Sequence, residues 1–358
     1  MTTSEVDAVL SLAREDIRAL KAYEHASWRP ELERLHANES PWPPLSSNDG
    51  LARHHYPEPQ PAELVAAMAA YYGVAAEQIL VGRGSDEGID LLTRAFCRAE
   101  HDAVVVCPPT FGMYAVAAAI QGARTVSIPL RDDCQLDVTA IVAALQSPSS
   151  NPPKLIWLCS PNNPTGTRVA RCDIEQVIQA ARGRAVVIVD EAYAEFSTDA
   201  SWIASLAAHP HLVVLRTLSK AHGLAGLRLG AVIAHRAVIQ LLRKIIPPYA
   251  LPYDSARLGT IAMQAPALAV TRERIDMLLL ERERLRAALS ASPLLKRIWP
   301  SEANFLLVEA HDGQLVLDRL AAVGLIVRDF RGKSGLGEAI RITVGTPEQN
   351  DRIIRSLS

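Results

Sequence analysis

Cysteine is scarce and unpatterned in this chain: five residues in 358, Cys97, Cys107, Cys134, Cys159 and Cys172, with no CxxC spacing among them. An odd, scattered set excludes a disulfide framework. Cys107 and Cys159 end apolar runs and read as core thiols of a protein kept in the reducing cytoplasm. Charge of one sign is also missing. Lys+Arg 37 against Asp+Glu 39 gives a net −2, which leaves no basic surplus for a nucleic-acid backbone. No apolar run approaches the roughly 18 residues that suggest a spanning helix, so no membrane partner is expected. The opening stretch MTTSEVDAVLSLAREDIRAL lacks the basic end and unbroken apolar centre of a signal peptide. His54–His55 and His209/His211 have no third ligand at metal spacing and no HExxH string occurs, so no metal is expected. Internal repeats and low-complexity tracts are absent as well.

What is present is ordinary for a globular enzyme: 49% hydrophobic and 21% charged residues on a chain long enough to bury an ample core. Continuous Val/Ile/Leu runs (QILVG, AVVVCPP, TVSIPL, KLIWLCS, AVVIVDE, HLVVLRT, LGAVIAH) alternate with amphipathic segments such as GIDLLTRAF and DIEQVIQAAR. That pattern predicts an α/β fold whose mainly parallel sheet is covered on both faces. After residue 236 a long charged helix around TRERIDMLLLERERLRAAL leads into NFLLVEA, GQLVLDRLAAV and IRITV, the makings of a smaller α+β domain. The expected division is therefore three-part. Residues 1–50 form an N-terminal arm and part of the small domain, ending in a Pro-rich loop, SPWPPLSSNDG. Residues 51–236 form the large domain, and 237–358 a linking helix with the small C-terminal domain.

In such a sheet, chemistry gathers at the carboxyl ends of the strands. Four polar stretches fall there: GRGSDE (82–87), SPNNPTG (160–166), DEAY (190–193), and Ser219-Lys220 with Arg228. A lone lysine after a strand is most often a surface residue. Lys220, however, follows LVVLRTLS and has Ser219 and Arg228 for neighbours, a hydroxyl and a guanidinium fork suited to a phosphate; desolvation there would make its amine nucleophilic. Asp190 ends AVVIVD, where a carboxylate is costly to bury alone. Either it caps the next segment, or it pairs with a cationic ring nitrogen. Tyr193 and Asn163 could reach a neighbouring ring oxygen. Gly82, Gly84 and Gly88 imitate a dinucleotide fingerprint. No acidic residue ends the next strand to hold a ribose, so one phosphate at Ser85 and the helix start accounts for the glycines better.

These strings resemble the fold-type I aminotransferases, and within them the histidinol-phosphate aminotransferases. The likeness runs through HANESP (36–41), HHYPEP (54–59), GRGSDEGIDLL (82–92), CPPTFGMY (107–114), SPNNPTG, VDEAYAEF (189–196), RTLSKAHGLAGLRLG (216–230), SEANFLLV (301–308), GLIVRDF (324–330) and IRITVG (340–345). The resemblance implies pyridoxal 5′-phosphate bound covalently by Lys220, with Asp190 on its pyridine nitrogen and Asn163 and Tyr193 on its phenolate oxygen. It implies that Ser85, Asp86 through its backbone, the adjoining Glu87, Ser219 and Arg228 surround the phosphate, and that Phe111 stacks on the ring. Tyr56 matches a tyrosine lent across a homodimer to the neighbouring cofactor. Arg328 and Arg341, with Tyr23 and Asn38, would bind substrate, Arg341 taking an α-carboxylate or a phosphate in turn. The implied reaction is reversible ping-pong transamination between histidinol phosphate and 2-oxoglutarate, giving imidazole-acetol phosphate and glutamate, in histidine biosynthesis. Two departures stand out: Ser40 where relatives often have Asn, and PPYALPYDSARLG where they often read PYPLS.

Other readings share parts of this pattern. An aromatic aminotransferase would keep every cofactor residue and change only the side-chain pocket. A phosphothreonine decarboxylase would keep a phosphate-seeking site. A catalytically silent regulator would have no use for Lys220, Asp190, Asn163 and Arg228 together.

Overall fold

The computed structural model describes residues 3–25, 29, 32–43, 52–147 and 152–358. The tail of the expected Pro-rich loop, 44–50, lies outside the described residues.

Seven strands form the larger sheet: β1 (Ile79–Gly82), β2 (Ala103–Val106), β3 (Arg124–Ser127), β4 (Pro153–Cys159), β5 (Val186–Asp190), β6 (Leu212–Thr217) and β7 (Gly230–Ala234), in the order β1-β7-β6-β5-β4-β2-β3. From β6 through β5, β4 and β2 to β3 every pairing is parallel. Strand β7 is antiparallel to both β6 and β1. The sheet is thus mainly parallel, with one reversed strand that composition did not reveal.

Alternation of side chains along each strand feeds two separate cores. Val81, Val105, Ile156, Val187, Val189 and Val214 face one layer of helices, while Leu80, Val104, Trp157, Ile188 and Leu215 face the other. On these strands both faces are dry, which is why their runs read as continuous apolar stretches, whereas the edge strand β3 is largely exposed. The helices Thr3–Leu12 and Glu15–Ala19 belong to the second layer. Val9, Leu12 and Ala13 are buried in it, so residues 3–19 sit on the larger sheet rather than against the smaller one.

The smaller sheet is antiparallel throughout: β8 (Leu295–Ile298), β9 (Phe305–Ala310), β10 (Arg328–Asp329) and β11 (Ala339–Thr343), in the order β10-β11-β9-β8. It packs on the helices Ala265–Leu289, Gly313–Ala322 and Pro347–Leu357. The first of these begins six residues before the charged stretch read from sequence, because Pro266 falls in its opening turn, where a missing N–H costs nothing. The two sheets are stitched at the SPNNPTG loop. Glu302 N–H donates to Gly166 O at 2.8 Å, Arg168 pairs with Glu302, and the Tyr193 and Phe305 rings meet edge-on at 5.2 Å.

Candidate active site

Strand direction decides where the polar loops meet. Because β7 runs against β6, its beginning lies at the edge where β4, β5 and β6 end, and β1, reversed again, also ends there. Gly230 is paired with Gly82 on one side and with Thr217 on the other. Arg228, just before β7, is thereby brought to the helix Ser85–Phe96 that follows β1. A Cβ on Gly84 would lie 2.8 Å from the Arg228 guanidinium, and one on Gly230 only 2.5–2.8 Å from backbone atoms of Gly84, Ser85 and Arg216. Gly84 also has φ +79°, a left-handed conformation that glycine adopts without strain.

A cavity of about 840 Å³ opens at this edge. It collects Ser85, Asp86, Phe111, Asn163, Asp190, Tyr193, Ser219, Lys220 and Arg228 from the larger sheet's loops, and Arg328 and Arg341 from the smaller sheet. At one end Arg228 donates to Ser219 Oγ (3.4 Å) and pairs with Asp86 (3.2 Å), beside the N-terminus of a twelve-residue helix. The first-turn backbone of a helix, the Ser85 and Ser219 hydroxyls and a guanidinium are groups suited to an anion. Arg228 is held there at φ +53°, a conformation that carries strain in a non-glycine residue.

Asp190 forms the floor and is 2% exposed. Its Oδ2 accepts from the Tyr114 hydroxyl at 2.7 Å and its Oδ1 from the Ala192 N–H at 3.1 Å. Burial pushes its carboxyl up to about 6, against the pull of those two donors. Among the described residues no cation is hydrogen-bonded to this carboxyl group, although the Lys220 ammonium lies near enough to feel its charge. Lys220 lies above the Tyr193 ring, 5.6 Å from its centroid. Burial first, and Arg341 second, lower its ammonium from the usual lysine range.

Arg328 and Arg341 are register partners on β10 and β11, and directly opposed side chains share a face of the sheet. Arg341 lies between the Phe305 and Phe330 rings, 5.1 and 5.4 Å from their centroids, and donates to the Asn163 amide oxygen. Burial, opposed by Tyr193 and reinforced by Arg328, depresses it from the ordinary guanidinium range. Two like charges held opposite one another are unfavourable until an anion joins them.

Four expected residues lie elsewhere. Glu87 turns away, its carboxylate accepting from the Arg83 N–H, Nε and Nη2. Tyr56, half-exposed, stacks on Tyr249 at 4.7 Å. Its backbone is held by Arg34, Glu39 and Tyr253. Tyr23 is exposed and edge-on to His25, and Asn38 has φ +58°. None of the four lines the cavity. Conversely, Tyr114 was not singled out from sequence. Its signal was a tyrosine in the alanine-rich apolar helix Met113–Gln121, where a buried hydroxyl needs a partner.

Among the described residues no group of three His, Cys, Asp or Glu side chains could hold a metal, and no helix is long and apolar enough to cross a membrane. Cys107 and Cys159 are buried, and burial pushes both thiols up to about 12.

The chain matches the family described as aminotransferase class I and II over residues 24–357. It is 46% identical over 366 residues to a histidinol-phosphate aminotransferase of Xylella fastidiosa (strain Temecula1), covering 99% of this chain and 97% of the relative. A histidinol-phosphate aminotransferase of Xanthomonas campestris pv. campestris is 47% identical, covering 98% and 97%. Among solved structures, a histidinol-phosphate aminotransferase from Sinorhizobium meliloti in complex with pyridoxal-5′-phosphate superposes with a TM-score of 0.74 at 25% identity, over 85% of this chain and 82% of that one.

Proposed function

The chain belongs to the class I and II aminotransferases, in the histidinol-phosphate aminotransferase group, and from that premise we propose that it moves an amino group between histidinol phosphate and 2-oxoglutarate, yielding imidazole-acetol phosphate and glutamate in histidine biosynthesis. The observation that carries this reading is the opposed pair Arg328 and Arg341 facing Lys220 and Asp190 across one cavity.

The residues present suit pyridoxal phosphate. A buried carboxylate with no cation hydrogen-bonded to it asks for a cationic ring nitrogen, the Arg228–Ser219–Ser85 group for a phosphate, and the desolvated Lys220 for an aldehyde. When bound, the cofactor supplies an electron sink for the pair released at the substrate's α-carbon. Asp190 would hold the ring nitrogen's proton, and Phe111 would cover the ring face. Asn163 would turn its amide N–H₂ to the phenolate oxygen, because its amide oxygen is already committed to Arg341. Tyr193 would donate to the same oxygen. Lys220 Nζ, its ammonium lowered by burial, would carry the proton between the substrate's α-carbon and the cofactor's C4′, in opposite directions in the two half-reactions. Arg341 would receive glutamate's carboxylate in one half-reaction and, with Arg328, the histidinol phosphate dianion in the other; a guanidinium fork fits both.

We take residues 51–236 as the large domain and 237–358 as the linking helix and small domain, a division supported by each sheet falling inside one range. We also place the protein in the cytoplasm as a homodimer in which Tyr56 serves the partner's cofactor phosphate. Its half-exposed ring, held by its backbone outside its own cavity, supports that role.

Single-turnover rates with histidinol, histidinol phosphate and glutamate test the substrate assignment. Losing a charge-assisted contact costs on the order of 1.5–3 kcal/mol, or roughly tenfold to a hundredfold in rate. Arg328→Ala is expected to slow the histidinol phosphate half-reaction by that factor and to spare the glutamate half. Equal wild-type rates for histidinol and its phosphate would exclude phosphate recognition and leave a general aromatic aminotransferase.

A further inference from the structure

We propose that Tyr114 is a positioning residue for the reaction that acts through Asp190, its donated hydrogen bond keeping the cofactor's proton on the ring nitrogen rather than on the carboxylate. This rests on the reading that Asp190 meets that nitrogen.

The tyrosine is fully buried. Its ring stacks on Trp157 (centroids 5.1 Å apart, 5° between planes) and meets the Phe111 ring edge-on at 5.6 Å. A phenylalanine would satisfy all of that packing. The hydroxyl is what packing does not require, and it donates to Asp190 Oδ2 at 2.7 Å. The backbone N–H of Ala192 occupies the other oxygen, Oδ1. Each carboxylate oxygen has one further lone-pair site, so the two donors fix the plane of the group and leave an acceptor position toward the cavity.

A carboxylate in a dry floor is a strong base, and a ring nitrogen placed on it would lose its proton to it. A donor on the carboxylate weakens that base and leaves the proton on the ring. The hydroxyl is suited to this, since burial and the adjacent Asp190 push its own ionisation well above the ordinary tyrosine range, making it a fixed donor. The other titratable groups around Asp190 are Cys159 on the neighbouring strand, Asp86 on the helix after β1, Glu191 and Tyr193 beyond β5, and Lys220. Cys159, with its thiol pushed up to about 12, stays neutral across the working range. Among the described residues, Tyr114 and the Ala192 N–H are the groups hydrogen-bonded directly to the carboxylate.

The test uses holoenzyme loaded with cofactor ¹⁵N-labelled at the ring nitrogen, and in parallel cofactor-free protein with ¹³C-labelled aspartate. In wild type the ring nitrogen is expected to resonate as the protonated form between pH 6 and 8. Tyr114→Phe should move it toward the unprotonated form and raise the pH at which Asp190 titrates in the cofactor-free protein. The same variant should lower kcat by roughly tenfold to a hundredfold while leaving KM for both substrates in place. Trifluorotyrosine at position 114, a stronger donor of the same shape, should lower the Asp190 titration, and it carries the test if the phenylalanine variant fails to fold. A protonated wild-type ring left unchanged by both replacements would overturn the role of Tyr114 and leave the cofactor reading standing. A wild-type protein that binds no cofactor, or binds it with an unprotonated ring, would overturn the reading on which the role depends.

Discussion

At the scale of single residues the floor of the site holds groups that are poorly solvated. Asp190 is the clearest. Its carboxyl titrates near 3.8 when unfolded and at about 6 in the folded chain. The folded state therefore binds the proton more tightly. The stability this contributes is complete below pH 4 and is lost as pH rises through 6. At 1.36 kcal/mol per pH unit the loss is about 3 kcal/mol. Asp190→Asn removes the charge but sets one amide hydrogen against a donor. We expect the cofactor-free variant to be more stable than wild type by roughly 1–2 kcal/mol above pH 6, with no advantage at pH 4. Denaturant midpoints of both proteins from pH 4 to 8 measure this. A difference independent of pH would mean that the carboxylate carries no such strain. If Asp190 holds its charge for a cationic ring, as proposed, it exchanges stability for function.

At the scale of elements, position follows from strand direction. The reversed β7 delivers Arg228 to Ser219, Asp86 and the start of the helix Ser85–Phe96, and its first residue, Gly230, is wedged against backbone atoms of Gly84, Ser85 and Arg216 at 2.5–2.8 Å from where a Cβ would stand. Backbone cannot swing aside as a side chain can, so Gly230→Ala must push the turn before the helix Ser85–Phe96 out of place. The expected cost is about 1–3 kcal/mol. Because the displaced turn carries Ser85, the variant should also release cofactor faster than wild type. Thermal unfolding of the cofactor-free protein and the rate of cofactor loss on dilution report the two effects separately. A stability loss with unchanged retention would separate the turn from phosphate binding. The β10–β11 pair shows the same dependence on pairing. Arg328 and Arg341 are thirteen residues apart in sequence, yet the register sets them side by side on one face.

At the scale of the whole molecule, the cavity needs both sheets, since Arg341 from the smaller one bonds Asn163 from the larger. The proposed homodimer adds a third contributor. Tyr56→Ala chains mixed with Lys220→Ala chains should form heterodimers holding one doubly defective site and one intact site. A random mixture would recover about a quarter of wild-type activity from two nearly inactive proteins. Activity and subunit exchange are measured on the same sample. Exchange without recovery would place Tyr56 in service of its own subunit.

Much of this was already written in the sequence. The seven apolar runs became β1 to β7: in all but the largely exposed edge strand β3, a strand buried on both faces must be apolar at most positions, and that requirement is local. That Lys220, Asp190, Asn163, Ser219 and Arg228 gather at one edge of the sheet was legible because turns and strand ends have residue signatures. The remainder depended on distance in the chain. The reversal of β7 follows from the path by which it returns, a path its own five residues do not encode. Tyr114 is separated from Asp190 by 76 residues, and nothing in either neighbourhood names the other. Glu87 reads as part of the glycine loop, but Arg83, four residues earlier, holds its carboxylate. Patterns of burial and turning are properties of neighbouring residues and survive in a string of letters. Which donor finds which acceptor is settled when strands and helices far apart in that string pack together.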